Sequence, residues 1–218
     1  MTIFFRIFVR LGDLNIQNQL DGLSGVDISV IKFIKHEQYS RFSKQNDIAL
    51  AKLERNVKFS DLVRPACLWQ DDRLNVDSVV ATGWGTTEFG ANQNSDDLLK
   101  VSLDILDIDH CSQFFGRRDD DIIINRNQIC AGVLTGGHDT CQGGDFEAIS
   151  GSTFSFNSTI SHFSDSGGPI QIVLPDHKCT YHIVGLTSFG GVCGEANSPS
   201  VYTRVSSYIT WIEEKVWG

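Results

Sequence analysis

An all-β fold closed by a single C-terminal helix is predicted by three observations. Short apolar stretches recur with period two and stop at turn-forming residues. The 20 glycines stand beside only 4 prolines, which suits many tight turns better than a disordered chain. Helical periodicity emerges once, in the last residues. Many strands with one closing helix imply antiparallel barrels or a sandwich. At 218 residues the chain can bury one large all-β unit or two small ones.

The first predicted strand is Ile7-Phe8-Val9-Arg10-Leu11. The apolar run from Met1 is interrupted by Arg6 and Arg10 and lacks a small-residue cleavage site, so it does not read as a signal peptide. The strand begins so abruptly that further sequence upstream of Met1 is expected. No run approaches the ~18 apolar residues of a membrane helix. Val26-Asp27-Ile28-Ser29-Val30 alternates strictly, and Asp47 to Leu53 is a half-buried strand with an acid at its mouth. An acid placed there makes sense only if a partner satisfies it. Val79 to Gly85, Leu99 to Leu106, Ile170 to Leu174, Tyr181 to Thr187 and Ser200 to Val205 complete the predicted strands. Ser206 or Ser207 is the expected cap of the closing helix. Tyr208, Ile209, Ile212 and Val216 then share its apolar face, with Glu213 and Glu214 toward water. Residues 144–164, rich in Ser, Thr, Phe and Ile, follow no period and read as a long surface loop, a rare object in a compact domain. The chain has no internal repeat.

Composition narrows the function classes. Hydrophobic content of 41% and charged content of 21% are those of an ordinary globular protein. A net charge of −9 argues against a nucleic-acid partner, which needs clustered Lys and Arg. The basic pair Arg117-Arg118 runs directly into Asp119-Asp120-Asp121 and reads as a solvated loop. Six cysteines are too few for a small disulfide scaffold and contain no CxxC pair for zinc, so no metal or other cofactor is expected. They are compatible with two or three bridges in an oxidising compartment.

The most informative string is Asp165-Ser166-Gly167-Gly168-Pro169. A serine is a weak nucleophile unless geometry and a nearby base activate it, and flanking glycines permit the sharp turn that exposes it. Four further strings accompany it in order: Asn46-Asp47-Ile48-Ala49-Leu50, Ala81-Thr82-Gly83-Trp84-Gly85, Ile129-Cys130-Ala131-Gly132 and Asp139-Thr140-Cys141-Gln142-Gly143. Val201-Tyr202-Thr203-Arg204-Val205 closes the series. Together they resemble the chymotrypsin/trypsin family of serine endopeptidases over nearly the whole chain except 144–164. VRLGDLNI, SDLVRPACLW and GLTSFG look most like secreted arthropod clip-domain proteases.

The resemblance implies two six-stranded antiparallel barrels with the site between them and a C-terminal helix. Residues 1–75 would form a partial N-terminal barrel, 76–205 the C-terminal barrel with the insert 144–164, and 206–218 the helix. Ser166 matches the nucleophile, and Asp47 the buried acid that orients the histidine base. Asp139 matches the carboxylate at the bottom of the specificity pocket, which implies cleavage of proteins after Arg or Lys. Ser188 and Gly190 match the strand lining that pocket. Ser200 stands where many members have glycine, and its hydroxymethyl would narrow the pocket in favour of Arg. Asp165 matches the acid that pairs with the new N-terminal amine on zymogen activation. The oxyanion hole would combine the Ser166 amide with that of Gly143 or, across the insert, Ser164. Implied disulfides are Cys111–Cys130 and Cys141–Cys193. Cys67 matches a position that bridges to a pro-domain, and Cys179 has Val101 where its usual partner would be. A secreted location follows from the resemblance.

Two features depart from the family. Its histidine lies in an Ala-Ala-His-Cys string ahead of the acid, and its activation site resembles Ile-Val-Gly-Gly; neither string occurs here. His36 precedes Asp47 but sits in Lys35-His36-Glu37-Gln38-Tyr39, which resembles a surface loop; His162 lies four residues before Ser166. Neither is expected to be the base, and His110, His138, His177 and His182 read as solvated or strand-edge residues. The chain as written is therefore expected to be inactive. The insert is the second departure. Excising 144–164 restores Cys-Gln-Gly-Asp-Ser-Gly-Gly-Pro, so a retained intron is the leading reading, and a true loop bearing the sequon Asn157-Ser158-Thr159 is the other. The rival function is a catalytically dead homologue that binds or regulates a partner. The missing base favours it; the joint presence of Ser166, Asp47 and Asp139 speaks against it, because a binding protein has no physical need for a buried acid and a charged pocket.

Overall fold

The computed structural model describes residues 7–17, 25–85, 94–117, 122–135, 166–174, 180–191 and 196–218. Among the described residues the strands run in the order β1 (Phe8–Leu11), β2 (Val26–Lys35), β3 (Ala49–Leu53), β4 (Cys67–Leu68), β5 (Ser78–Gly83) and β6 (Leu99–Leu106). Helix α1 (Ile108–Gly116) is followed by β7 (Gln128–Gly132), β8 (Pro169–Val173), β9 (Tyr181–Gly190) and β10 (Ser200–Arg204). A 3-10 turn over Val205–Tyr208 leads into α2 (Ile209–Trp217).

Strands β5 to β10 close into a barrel with the order β10-β7-β6-β5-β8-β9, because β9 also pairs with β10. All of these pairings are antiparallel. The pleat sends alternate residues inward: Val79 and Ala81, Ile129 and Ala131, Ile170 and Ile172. Leu103, Val184 and Tyr202 fill the middle, and each is at most 1% exposed. Closure removes the open sheet edges that would otherwise seek partners. The long strand β9 receives the short β4 in parallel at His182 and Ile183, then β10 from Gly185 onward.

The N-terminal half contributes a second sheet, β1-β2-β3, among the described residues. Register runs Phe8↔Ser29 to Leu11↔Val26 on one side of β2 and Val30↔Leu53 to Lys35↔Ala49 on the other. This agrees with an all-β fold. The two sheets meet around Ile48, Tyr208 and Ile212, with Leu50, Leu186 and Trp211 packed alongside. The closing helix is thus a bracket between the two halves.

Several elements differ from the sequence reading. The strand expected to begin at Asp47 begins at Ala49, because Asn46 has φ 54° and the chain is still turning. Neither Ser206 nor Ser207 caps α2: both lie in the 3-10 turn, and Ser206 Oγ reaches Asp72 Oδ1 at 3.4 Å instead. Val216 is exposed, and Trp211 supplies the apolar contact expected of it. Helix α1 was not foreseen. Asp107 caps it by accepting the Asp109 amide at 2.8 Å, and Cys111 and Phe115 anchor it to the barrel. The segment 144–164 lies outside the described residues.

Candidate active site

Asp47 stands at the seam between the two halves, immediately before β3. Its carboxylate accepts a 2.6 Å hydrogen bond from Ser188 Oγ. Its carbonyl accepts one from Thr203 Oγ1 at 2.8 Å. Burial pushes the Asp47 carboxyl above the usual range; the Ser188 bond and the charge of Lys44 pull it back down. The partner that an acid at the mouth of an apolar strand requires is therefore Ser188, from β9 of the other barrel.

The Ser166 turn docks on the residue next to Ser188. Gly167 N donates to Thr187 O at 2.7 Å, and Thr187 N and Oγ1 both donate to Gly168 O, at 2.9 and 3.1 Å. Gly167 holds φ 81°, a left-handed conformation that a Cβ disfavours, and space is not the constraint because nothing lies within 4 Å of where a Cβ would be. Ser166 itself is exposed. Adjacent residues of β9, Thr187 and Ser188, thus hold the serine turn and the acid, two segments far apart in sequence.

Beyond Ser188, β9 continues through Phe189 to Gly190, which faces Ser200 across the β9–β10 pair. Ser200 Oγ lies 2.5 Å from the place a Cβ on Gly190 would occupy, so a side chain there would force the Ser200 hydroxyl to move. Ser200 is 1% exposed. Cys111 and Cys130 form a disulfide with Cα atoms 5.9 Å apart, tying α1 to β7 beside this wall. Phe115 and Phe189 meet in a T-shaped arrangement with ring centroids 5.1 Å apart, continuing the same support.

Asp139, Gly143, Ser164 and Asp165 lie outside the described residues, as do Cys141, Cys179 and Cys193. So do His138, His162 and His177. Cys67 is exposed and has no disulfide partner among the described residues. His36 is engaged elsewhere: its ring packs on Trp211 and Tyr208 at centroid distances of 5.1 and 5.5 Å, and Nδ1 accepts from the Gln38 amide at 3.2 Å. His182 lies beside Trp69 at 6.0 Å. No group of three or more metal-binding side chains occurs among the described residues.

Sequence reasoning did not identify Thr187 or Thr203 as parts of this site. Thr203 belongs to the quoted string Val201 to Val205, but its bond to the Asp47 carbonyl spans the two halves of the molecule, and no local pattern signals it. Thr187 precedes Ser188, and only the β8–β9 arrangement reveals that it receives the serine turn.

The trypsin family profile matches residues 6–145 and 150–212. The chain is 44% identical over 211 residues to "Serine protease snk" of Drosophila melanogaster, covering 94% of this chain and 42% of that protein. It is 36% identical over 221 residues to "Serine protease Hayan" of the same organism, covering 96% and 30%. Against "Clotting factor G beta subunit" of Tachypleus tridentatus the identity is 33% over 221 residues, covering 98% and 62%. The chain therefore spans less than two thirds of the length of each of these relatives. By profile and by identity, it belongs to the trypsin family of serine proteases.

Proposed function

We propose that this chain carries the nucleophile, the buried acid and the specificity pocket of a secreted endopeptidase that cuts proteins after Arg or Lys. The supporting observation is the position of Thr187 and Ser188, which hold the Ser166 turn and the Asp47 carboxylate side by side. In this reading Ser166 Oγ attacks the substrate carbonyl, and a histidine takes its proton while Asp47 stabilises the resulting imidazolium. The Ser166 amide and that of Gly143 or Ser164 receive the oxyanion. Asp139 binds the substrate's cation, with Ser188, Gly190 and Ser200 lining its path. Ser200 narrows that path and favours a flat guanidinium over an ammonium. Asp165 is the proposed partner of a newly cut amine on activation. Cys141–Cys193 is the second proposed bridge, and Cys67 the proposed attachment point for a pro-domain.

None of this chain's six histidines is assigned as the base, so the chain by itself is proposed to bind substrate side chains without turning over. That same feature favours a second reading, a regulatory homologue that binds without cutting. One experiment tests both the cationic pocket and the missing base. The chain should bind p-aminobenzamidine, and Asp139→Ala should weaken binding roughly 10–100-fold, the range for losing a charge-assisted hydrogen bond. Ser166 should remain unlabelled by a fluorophosphonate probe. Amidine binding unchanged by Asp139→Ala would overturn the cationic pocket, and rapid labelling of Ser166 would show that another group already activates it.

A further inference from the structure

Three successive residues, Gln45, Asn46 and Asp47, are each gripped by a different part of the second half of the chain. Gln45 Nε2 donates to the Ile123 carbonyl and, at 3.2 Å, to Gln128 Oε1. Gln45 Oε1 accepts from Asn125 Nδ2 at 2.7 Å. Gln128, 3% exposed, returns a bond from Nε2 to the Lys44 carbonyl at 3.3 Å and accepts the Asn125 amide at 3.1 Å. Both ends of the Gln45 amide are therefore satisfied by one compact cluster, as a partly buried amide requires. Asn46 Oδ1 accepts from Tyr208 Oη at 3.0 Å, and Asp47 is held through its carbonyl and carboxylate by Thr203 and Ser188.

The grips share a frame. Gln128 and Thr203 are register partners across the β7–β10 pair, so the clamp on Lys44 and Gln45 and the bond to the Asp47 carbonyl arise from facing positions of one ladder. The turn between them is not one that the chain adopts unaided. Lys44 and Asn46 both hold φ 54°. A lysine rarely adopts that conformation, which persists only where surrounding contacts over-determine it. The amide cluster supplies those contacts at Lys44 and Gln45, and Tyr208 supplies one at Asn46.

We infer that Gln45 is a positioning residue whose amide, read by Asn125, Gln128 and the Ile123 carbonyl, fixes the turn that directs the Asp47 carboxylate onto Ser188. The inference rests on the reading of Asp47 as the buried acid and goes beyond it by naming what aims that acid. It also couples the segment just before β7 to the site, since any shift of Asn125 or Gln128 is transmitted to Asp47 through two peptide units.

The test follows the Asp47 carboxyl directly, by 13C NMR titration with the resonance assigned through Asp47→Asn. Lys44, Tyr39 and Tyr208 are the titratable groups whose charge couples to Asp47. All three are retained in the variants, so the readout reports the carboxyl's surroundings. In the wild-type chain the midpoint should lie above the ordinary carboxylate range. In Gln45→Ala water reaches the carboxyl and relieves desolvation, the larger cause, while the weakened Ser188 bond acts the other way, so the midpoint should fall part of the way toward that range and the far side of the barrel should keep its amide protection. Exchange of the Ile48 amide should accelerate about tenfold, the effect of losing one to two net hydrogen bonds. Gln45→Met keeps the length of the stem and should give the same shift if the alanine variant does not fold. A midpoint that stays raised in a folded variant, with only the unfolding temperature lowered, makes Gln45 a merely structural contact and overturns the inference. A wild-type midpoint in the ordinary range overturns the buried-acid reading first, and with it any need for an aiming device.

Discussion

Asp47 is a carboxylate whose burial works against its charge, and this has a sign that can be measured. Its folded-state midpoint is raised, so the folded chain binds more protons than the unfolded chain between the ordinary carboxylate value and the raised one. Stability is therefore full below the ordinary value and falls as pH rises through the folded midpoint. Asp47→Asn removes this dependence and still offers Ser188 an amide oxygen. The variant should unfold at a higher temperature than wild type at neutral pH, with the two curves converging in acid. A variant less stable than wild type at neutral pH would show that the Ser188 bond outweighs desolvation.

At the scale of elements, the closing helix is tied to the first half of the molecule by one exposed carboxylate. Glu37 Oε1 lies 2.5 Å from Lys215 Nζ, and Glu37 Oε2 accepts from Trp211 Nε1 at 2.9 Å. The bond from Lys215, then the backbone and Trp211 bonds, bring the Glu37 carboxyl from its ordinary 4.5 down to about 2. Stability from this group is present above 4.5 and is lost as pH falls toward 2. Trp211 reports on it. Its emission should shift to longer wavelength across that acid window in the wild-type chain and not in Glu37→Gln. The apolar contacts of Ile212 and Tyr208 with Ile48 persist throughout, so α2 should loosen without detaching. The same helix shows a limit of pattern reading. Ile212 and Tyr208 were legible from spacing, whereas Val216 and Trp211 exchanged places, because the last turn extends past the surface that the helix packs on.

For the whole molecule, the Cys111–Cys130 bridge ties α1 to the barrel and closes a segment with sequence separation 19. Cross-links of this loop size restrict the unfolded chain by about 3 kcal/mol. Replacing both cysteines by alanine should lower the urea-derived stability by that order, and wild-type protein in reductant should keep its bridge until it unfolds, since both sulfurs are buried. A loss well under 1 kcal/mol would place the stabilisation in the surrounding packing of Phe115, Phe189 and Val201. By itself the sequence determined the strand count of the closing barrel almost completely, with Leu99–Leu106 placed to the residue, because period-two alternation is a local property of a pleated chain with one buried face. It also put forward Ser166, Asp47 and Ser188 as candidate parts of one site, through strings whose order survives without coordinates. Only the tertiary structure decided what holds them. The Asp47–Ser188 bond, the Thr187 dock and the Gln45 clamp all join residues distant in sequence, and local propensity carries no record of a partner that arrives from another strand.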